Sequence, residues 1–84
     1  MAQYKIENKT LSIEILGTVY DIKKPKFKQI IDMEEKLESL KTKEKLYFMQ
    51  ECLVSYGIPE AVLNELDSEA YLQLLEIVHG TKKN

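Results

Sequence analysis

Residues 15–40, ILGTVYDIKKPKFKQIIDMEEKLESL, change their hydrophobic period halfway along, and that change decides the fold class. Up to Lys23 the pattern alternates: Tyr20 and Ile22 share one side of an extended run, Asp21 and Lys23 the other. From Phe27 onward the spacing is helical. Phe27, Ile30, Ile31, Leu37 and Leu40 recur on one side with Met33 on the flank, and Asp32, Glu35, Lys36 and Glu38 occupy the opposite side. Pro25 stands at the junction. It ends the strand and, because a first helical turn does not need its missing N–H, allows a helix to start there.

Upstream, Leu11, Ile13 and Ile15 alternate with Ser12 and Glu14, and Tyr4 and Ile6 with Lys5 and Glu7. Asn8-Lys9 can turn between these runs, since Asn tolerates a positive φ. Gly17-Thr18 suits a two-residue hairpin loop with Gly first, as type II′ prefers. A three-stranded meander of this size needs a helix over its apolar side. Downstream, Thr42 is the expected N-cap of a second helix with Leu46, Met49, Leu53 and Tyr56 inward, widened by Phe48 and Cys52. Gly57 supplies a left-handed C-cap, and Ile58-Pro59 a stop and restart. Pro59 to Leu66 predicts a short third helix with Val62, Leu63 and Leu66 inward. Asp67 or Ser68 caps a fourth, in which Tyr71, Leu74, Leu75 and Val78 share a face and which Gly80 ends. The predicted class is α+β: a short N-terminal antiparallel β-meander, then a bundle of about four α-helices. One domain spans residues 1–80, with strands over about 3–23, helices over about 25–79, and a short polar tail at 81–84.

The totals agree with a single small domain. The chain has 84 residues, 44% of them hydrophobic and 31% charged, enough for one core and too apolar for disorder. Cys52 is the single cysteine, so no internal disulfide can form, and its apolar setting predicts a buried, inert thiol. The polar start MAQYKIENKT has no signal-peptide core, and no apolar run approaches the ~20 residues that span a bilayer. A cytoplasmic location without membrane contact is expected. Net charge is −2, unevenly spread: lysines crowd residues 23–28 and 41–45, whereas every charged residue from Leu46 to Thr81 is acidic. Arginine, the preferred reader of guanine edges, is absent.

No catalytic constellation emerges, and neither an enzyme nor a cofactor is expected. His79, the single histidine, precedes a helix-ending glycine, where its positive charge suits the helix C-terminus or solvent. One histidine and one cysteine are too few for zinc, which takes about four such ligands. Glu34-Glu35 and Glu65/Asp67 read as solvated helix faces, and no phosphate loop, nucleophile elbow or HExxH appears. Asp67-Ser68 superficially resembles the attachment motif of acyl carrier proteins. However, Glu69 follows the serine, the chain opens with strands, and capping accounts for the pair.

Two binding surfaces remain. KKPKFK, residues 23–28, could serve a small regulatory or nucleic-acid-associated domain, an electrostatic footprint with Phe27 interleaved. Against this, Phe27 opens the helical apolar stripe and is expected in the core, while strand-end lysines discourage aggregation. Tyr47, Phe48, Tyr56 and Tyr71 supply more aromatic surface than short helices need inward, and tyrosines and Met49 are types that interfaces favour. The alternative is that all of them pack in the one core. Basic and acidic regions on one domain also make head-to-tail self-association plausible.

The order of signals resembles the small tail assembly chaperones of long-tailed bacteriophages (siphophages). The strand region matches a Gly-x-x-Tyr-x-(apolar)-x-x-Pro pattern at Gly17, Tyr20, Ile22 and Pro25. The back half matches a Gly-(apolar)-Pro turn at Gly57, Ile58 and Pro59, followed by Leu63, Leu66, Asp67, Leu72, Leu74 and Leu75. The resemblance runs over about residues 10–80 and its motifs are loose. It implies a non-enzymatic role in the host bacterial cytoplasm, binding the tape-measure protein and assisting tail-tube subunits to polymerise around it. The matching surface would be an apolar groove for a helix, with Phe48, Cys52 and Tyr56 on one rim and Tyr71 and Leu75 on the other.

The family's short form is commonly extended by a −1 frameshift near its end. Lys82-Lys83-Asn84 can be encoded by A-AAA-AAT or A-AAA-AAC, heptamers on which ribosomes slip. A solubilising tail, or lysines complementing the last helix's dipole, is the alternative. The expected outcome of sequencing the gene is AAA at both lysines and an open −1 frame beyond; an AAG at either removes the frameshift.

Overall fold

The computed structural model describes residues 3–80. Its elements are β1 (Thr10–Ile15), β2 (Thr18–Lys23), α1 (Phe27–Glu38), α2 (Thr42–Tyr56), α3 (Glu60–Asn64) and α4 (Ser68–His79). The class is α+β, but the sheet has two strands rather than three. The polar tail at 81–84 lies outside the described residues.

Residues 3–9 belong to no strand, and Tyr4 and Ile6 are 90% and 95% exposed. Alternation alone does not pair a strand. A two-residue hairpin loop wants positive φ at both positions in type I′ or glycine at the first in type II′, and Asn8-Lys9 fully suits neither. The exposed Lys5–Glu7 ion pair at 3.1 Å adds little.

The hairpin turn also differs from expectation by one residue. Ile15 pairs with Thr18, so the loop is Leu16-Gly17, with φ of 51° and 88°. Positive φ at both positions matches the right-handed twist of the flanking strands, but at Leu16 it costs roughly 1–2 kcal/mol. The register pairs Leu11 with Ile22 and Ile13 with Tyr20, placing these side chains with Ile15 on the inward face. On the outward face Ser12 Oγ donates to Asp21 Oδ1 at 2.6 Å.

The helices start where a cap permits. α1 begins at Phe27, two residues beyond Pro25, because Lys26 is still extended and its N–H donates to Gln29 Oε1 at 2.7 Å. α2 is capped by Lys41 rather than Thr42, whose predecessor's N–H donates to Glu44 Oε1 at 2.9 Å. Lysine has no acceptor, so each is half of a capping box. α3 is shorter than expected and starts after Pro59. Asp67 caps α4, its Oδ1 accepting from Ala70 N–H at 2.8 Å.

The core is built by Ile15 and Ile22 from the hairpin, Leu53 and Tyr56 from α2, Ile58, Leu63 from α3, and Leu74 and Val78 from α4. Met33 of α1 is buried outside this cluster. Phe27, expected inside, is 79% exposed: it opens α1 on the stripe's line, but at a helix end beyond the packed region. Leu46, expected on α2's inward side, is also exposed. The radius of gyration is 14.4 Å, against about 12 Å for a compact chain of this length. The molecule is elongated, with extents of 51 × 35 × 26 Å.

Two positive-φ sites should respond oppositely to substitution. Leu16→Asn relieves strain and is expected to stabilise by about 1 kcal/mol. Gly57 has φ of 120°, and a Cβ there would stand 3.5 Å from Asp21 O. Gly57→Ala should therefore destabilise by about 1 kcal/mol or more. Urea unfolding of both variants checks the signs.

Candidate partner-binding site

α2 has two working sides. Met49, Cys52, Leu53 and Tyr56 turn toward the other elements, with Leu53 and Tyr56 fully in the core. Next to that side runs a flank of Leu46, Tyr47 and Val54, all exposed. The spacing of Tyr47, Gln50, Glu51 and Val54 keeps them neighbours on the helix surface. Gln50 Nε2 donates to Asn64 Oδ1 at 3.0 Å, which fixes α3 beside this flank.

Two open depressions meet along it and share Tyr47 and Gln50. One, about 350 Å³, is completed by Glu51, Val54 and Glu60. The other, about 300 Å³, is completed by Lys43, Leu46 and Tyr71. Together they form a band across α2, from the start of α3 to Tyr71 on α4. Its middle is aromatic and aliphatic, one end carries two carboxylates, and the other carries a lysine.

The residues expected to form two rims are placed differently from one another. Tyr56 is only 8% exposed and belongs to the core. Cys52, Tyr71 and Leu75 are half-buried and pack against that core. Phe48 is half-buried and is not among the residues packed on the cluster. Tyr56, Leu75 and His79 come together where α2 meets α4. Tyr71 is the one residue of the five that also lines the exposed band. The contribution of Tyr47 and Val54 could have been found in the sequence, because a seven-residue spacing with Gln50 and Glu51 between them marks a stripe beside the core side. Leu46 carried no such signal: its position on the wheel fits either side.

His79 corrects another expectation. It meets the end of α4 through a hydrogen bond rather than a charge, and is half-buried rather than facing solvent. Nδ1 lies 3.2 Å from Leu75 O, and Nε2 lies 3.2 Å from Tyr56 Oη. A carbonyl can only accept, so Nδ1–H donates to it, and Nε2 of the neutral ring accepts from the tyrosine hydroxyl. The two rings meet edge to face at 5.6 Å. Burial pushes the imidazole below its ordinary value, opposed by the Leu75 carbonyl and by Glu34. Burial also pushes the Tyr56 hydroxyl up to about 12 and raises the Cys52 thiol and the Tyr71 hydroxyl. A raised thiol has little thiolate at neutral pH, so Cys52 is a poor nucleophile.

Among the described residues, no three His, Cys, Asp or Glu side chains stand together as metal ligands, and no helix is long and apolar enough to cross a membrane. No protein-family model matches the chain, and no match was found among curated proteins or solved structures.

The histidine gives a pH dependence with a definite sign. Its folded value lies below the ordinary one of about 6.5, so the unfolded chain takes up the proton first. Stability is complete above about pH 6.5 and falls as pH drops from there toward the folded value. The urea midpoint is expected to be lower at pH 5.5 than at pH 7.5, with a smaller drop in His79→Gln.

Proposed function

We propose that this protein is a non-enzymatic assembly chaperone that holds a helix of a larger protein, and specifically a tail assembly chaperone of long-tailed phages. On this reading its client is the tape-measure protein, with the tail-tube protein as a further partner, in the host bacterial cytoplasm. The observation that carries it is the exposed band of Leu46, Tyr47, Val54 and Tyr71. An amphipathic client helix laid on it would bury an apolar stripe of its own at i, i+3, i+4 and i+7. Glu51 and Glu60 at one end and Lys43 at the other would set its direction.

The experiment is co-expression with a tape-measure protein. Tyr47→Asp and Val54→Asp are expected to weaken capture at least tenfold with unchanged circular dichroism, since both side chains are exposed in the free chain. Undiminished capture by both variants removes the band as the site, and a wild-type chain that captures no tape-measure protein removes the phage assignment.

A second reading has its own observation. Phe27 is exposed and stands among Lys23, Lys24, Lys26 and Lys28, which removes the objection that it lies in the core. An aromatic ring amid lysines is a stacking platform for single-stranded nucleic acid. Binding of a fluorescent single strand that weakens with salt and with Phe27→Ala would favour this regulatory or nucleic-acid-associated role over the chaperone.

A further inference from the structure

The two-stranded sheet has one crowded edge and one open edge. Ile15 and Thr18 flank a two-residue loop and exchange hydrogen bonds, so the bonded pairs continue at Ile13–Tyr20 and Leu11–Ile22. The N–H and C=O groups of Val19, Asp21 and Lys23 therefore point to the far side of β2. There the α2–α3 turn stands against the strand, a Cβ on Gly57 lying 3.5 Å from Asp21 O and 3.8 Å from Ile22 Cα. The corresponding groups of Thr10, Ser12 and Glu14 point away from β2 on the other side. Among the described residues no backbone group bonds to them. Beside this edge, Ile13, Leu16, Leu66, Leu74 and Ile77 line an apolar groove of about 200 Å³.

The same chain carries a segment that fits. Residues 3–7 alternate in the period of a strand, and Tyr4 and Ile6 expose almost all of their apolar surface. We propose that the open edge of β1 is a strand-addition site filled by residues 3–7 of a second copy, each chain giving its arm to the other in a twofold dimer.

The register follows from the outward groups of β1. With Glu7 opposite Thr10, Lys5 opposite Ser12 and Gln3 opposite Glu14 as the bonded pairs, Ile6 lies beside Leu11 and Tyr4 beside Ile13 on the inward face. Tyr4 then enters the groove, which is larger than the ~150 Å³ cavity known to hold a benzene ring. Charge agrees with this register. Lys5 lands next to Glu14 and next to Ser12, whose hydroxyl is bonded to Asp21, while Glu7 falls in line with Thr10 and its partner Lys23.

The arm's own chain could offer the same contacts only through a tight Asn8-Lys9 loop, where type I′ needs positive φ at Lys9 as well and type II′ prefers glycine in place of Asn8. Exchange leaves both extended. The exchange is symmetric, because a twofold interface repeats each pairing. The proposal is independent of the chaperone reading and stands or falls without it.

Light scattering on the full chain should give about twice the 9.8 kDa mass of one copy, and Ile6→Asp should give a monomer with unchanged circular dichroism. A monomeric wild type at every concentration, or a dimer that survives Ile6→Asp, overturns the proposal. Pairing is then read by cross-linking in a Cys52→Ala background. Oxidising a mixture of Ile6→Cys chains and Leu11→Cys chains should join one of each. Failure to join them, or closure only when both cysteines share a chain, overturns the exchange and assigns the edge to the chain's own arm or to another protein's strand.

Discussion

Ile58 has no exposed surface although it lies in the turn between two helices, and the packing depends on its being there. Gly57 makes this possible. Its N–H returns to Val54 O at 3.0 Å and that of Ile58 to Leu53 O at 3.3 Å, the paired bonds of a Schellman motif. That motif brings Ile58 back against Leu53 while the glycine slides past the backbone of β2. Ile22, Leu53, Ile58 and Val78, the largest wholly buried side chains among the described residues, thus join the hairpin, α2, the turn and α4. Full burial of one such side chain contributes about 1.5–3 kcal/mol. A domain of this size has about 4–12 kcal/mol in total, so one turn holds a large share of it.

A core that draws on the C-terminal end of α2 has a consequence for the helix's other end. α1 contributes Met33 but no member of the main cluster, and Ile31, Leu46 and Tyr47 remain exposed. Apolar surface is therefore left where folding does not require it. Isolated exposed leucines are ordinary on any protein, whereas a contiguous band is informative. The flank of α2 qualifies because its two depressions share residues, and because Gln50 holds α3 in place along it.

The elements of this fold were legible in the sequence because each is marked by a change of period. Strand alternation, the helical stripe from Phe27, Gly57 and Asp67 all lie where their elements begin or end. What could not be read was the strength of each tertiary demand. The inward register of Ile15 and Ile22 forces Leu16 into a left-handed conformation, overriding the local preference for Gly17 at the first loop position. Tyr4 and Ile6 carry the strand pattern, but a pattern does not supply a neighbour. Phe27 follows the helical period on an end with nothing beneath it. Among the candidate site residues, periodicity could not divide core aromatics from exposed ones, since Tyr47 and Tyr56 differ only in which side of one helix they occupy.

That division separates side chains the core needs from those it leaves on the surface. Tyr56 lies in the core with its hydroxyl committed to His79, whose other nitrogen is committed to the Leu75 carbonyl. Removing either partner leaves a half-buried polar group without its bond, a cost of about 1–3 kcal/mol. An effect of altering Tyr56 on any interaction would therefore report mainly on the folded fraction. Tyr47 bonds to none of these groups and is exposed, so altering it changes the surface and little else. The Tyr56–His79 pair joins α2 to α4, the two helices that carry Tyr47 and Tyr71. The core does not need Leu46, Tyr47 or Val54, which stay exposed along the band.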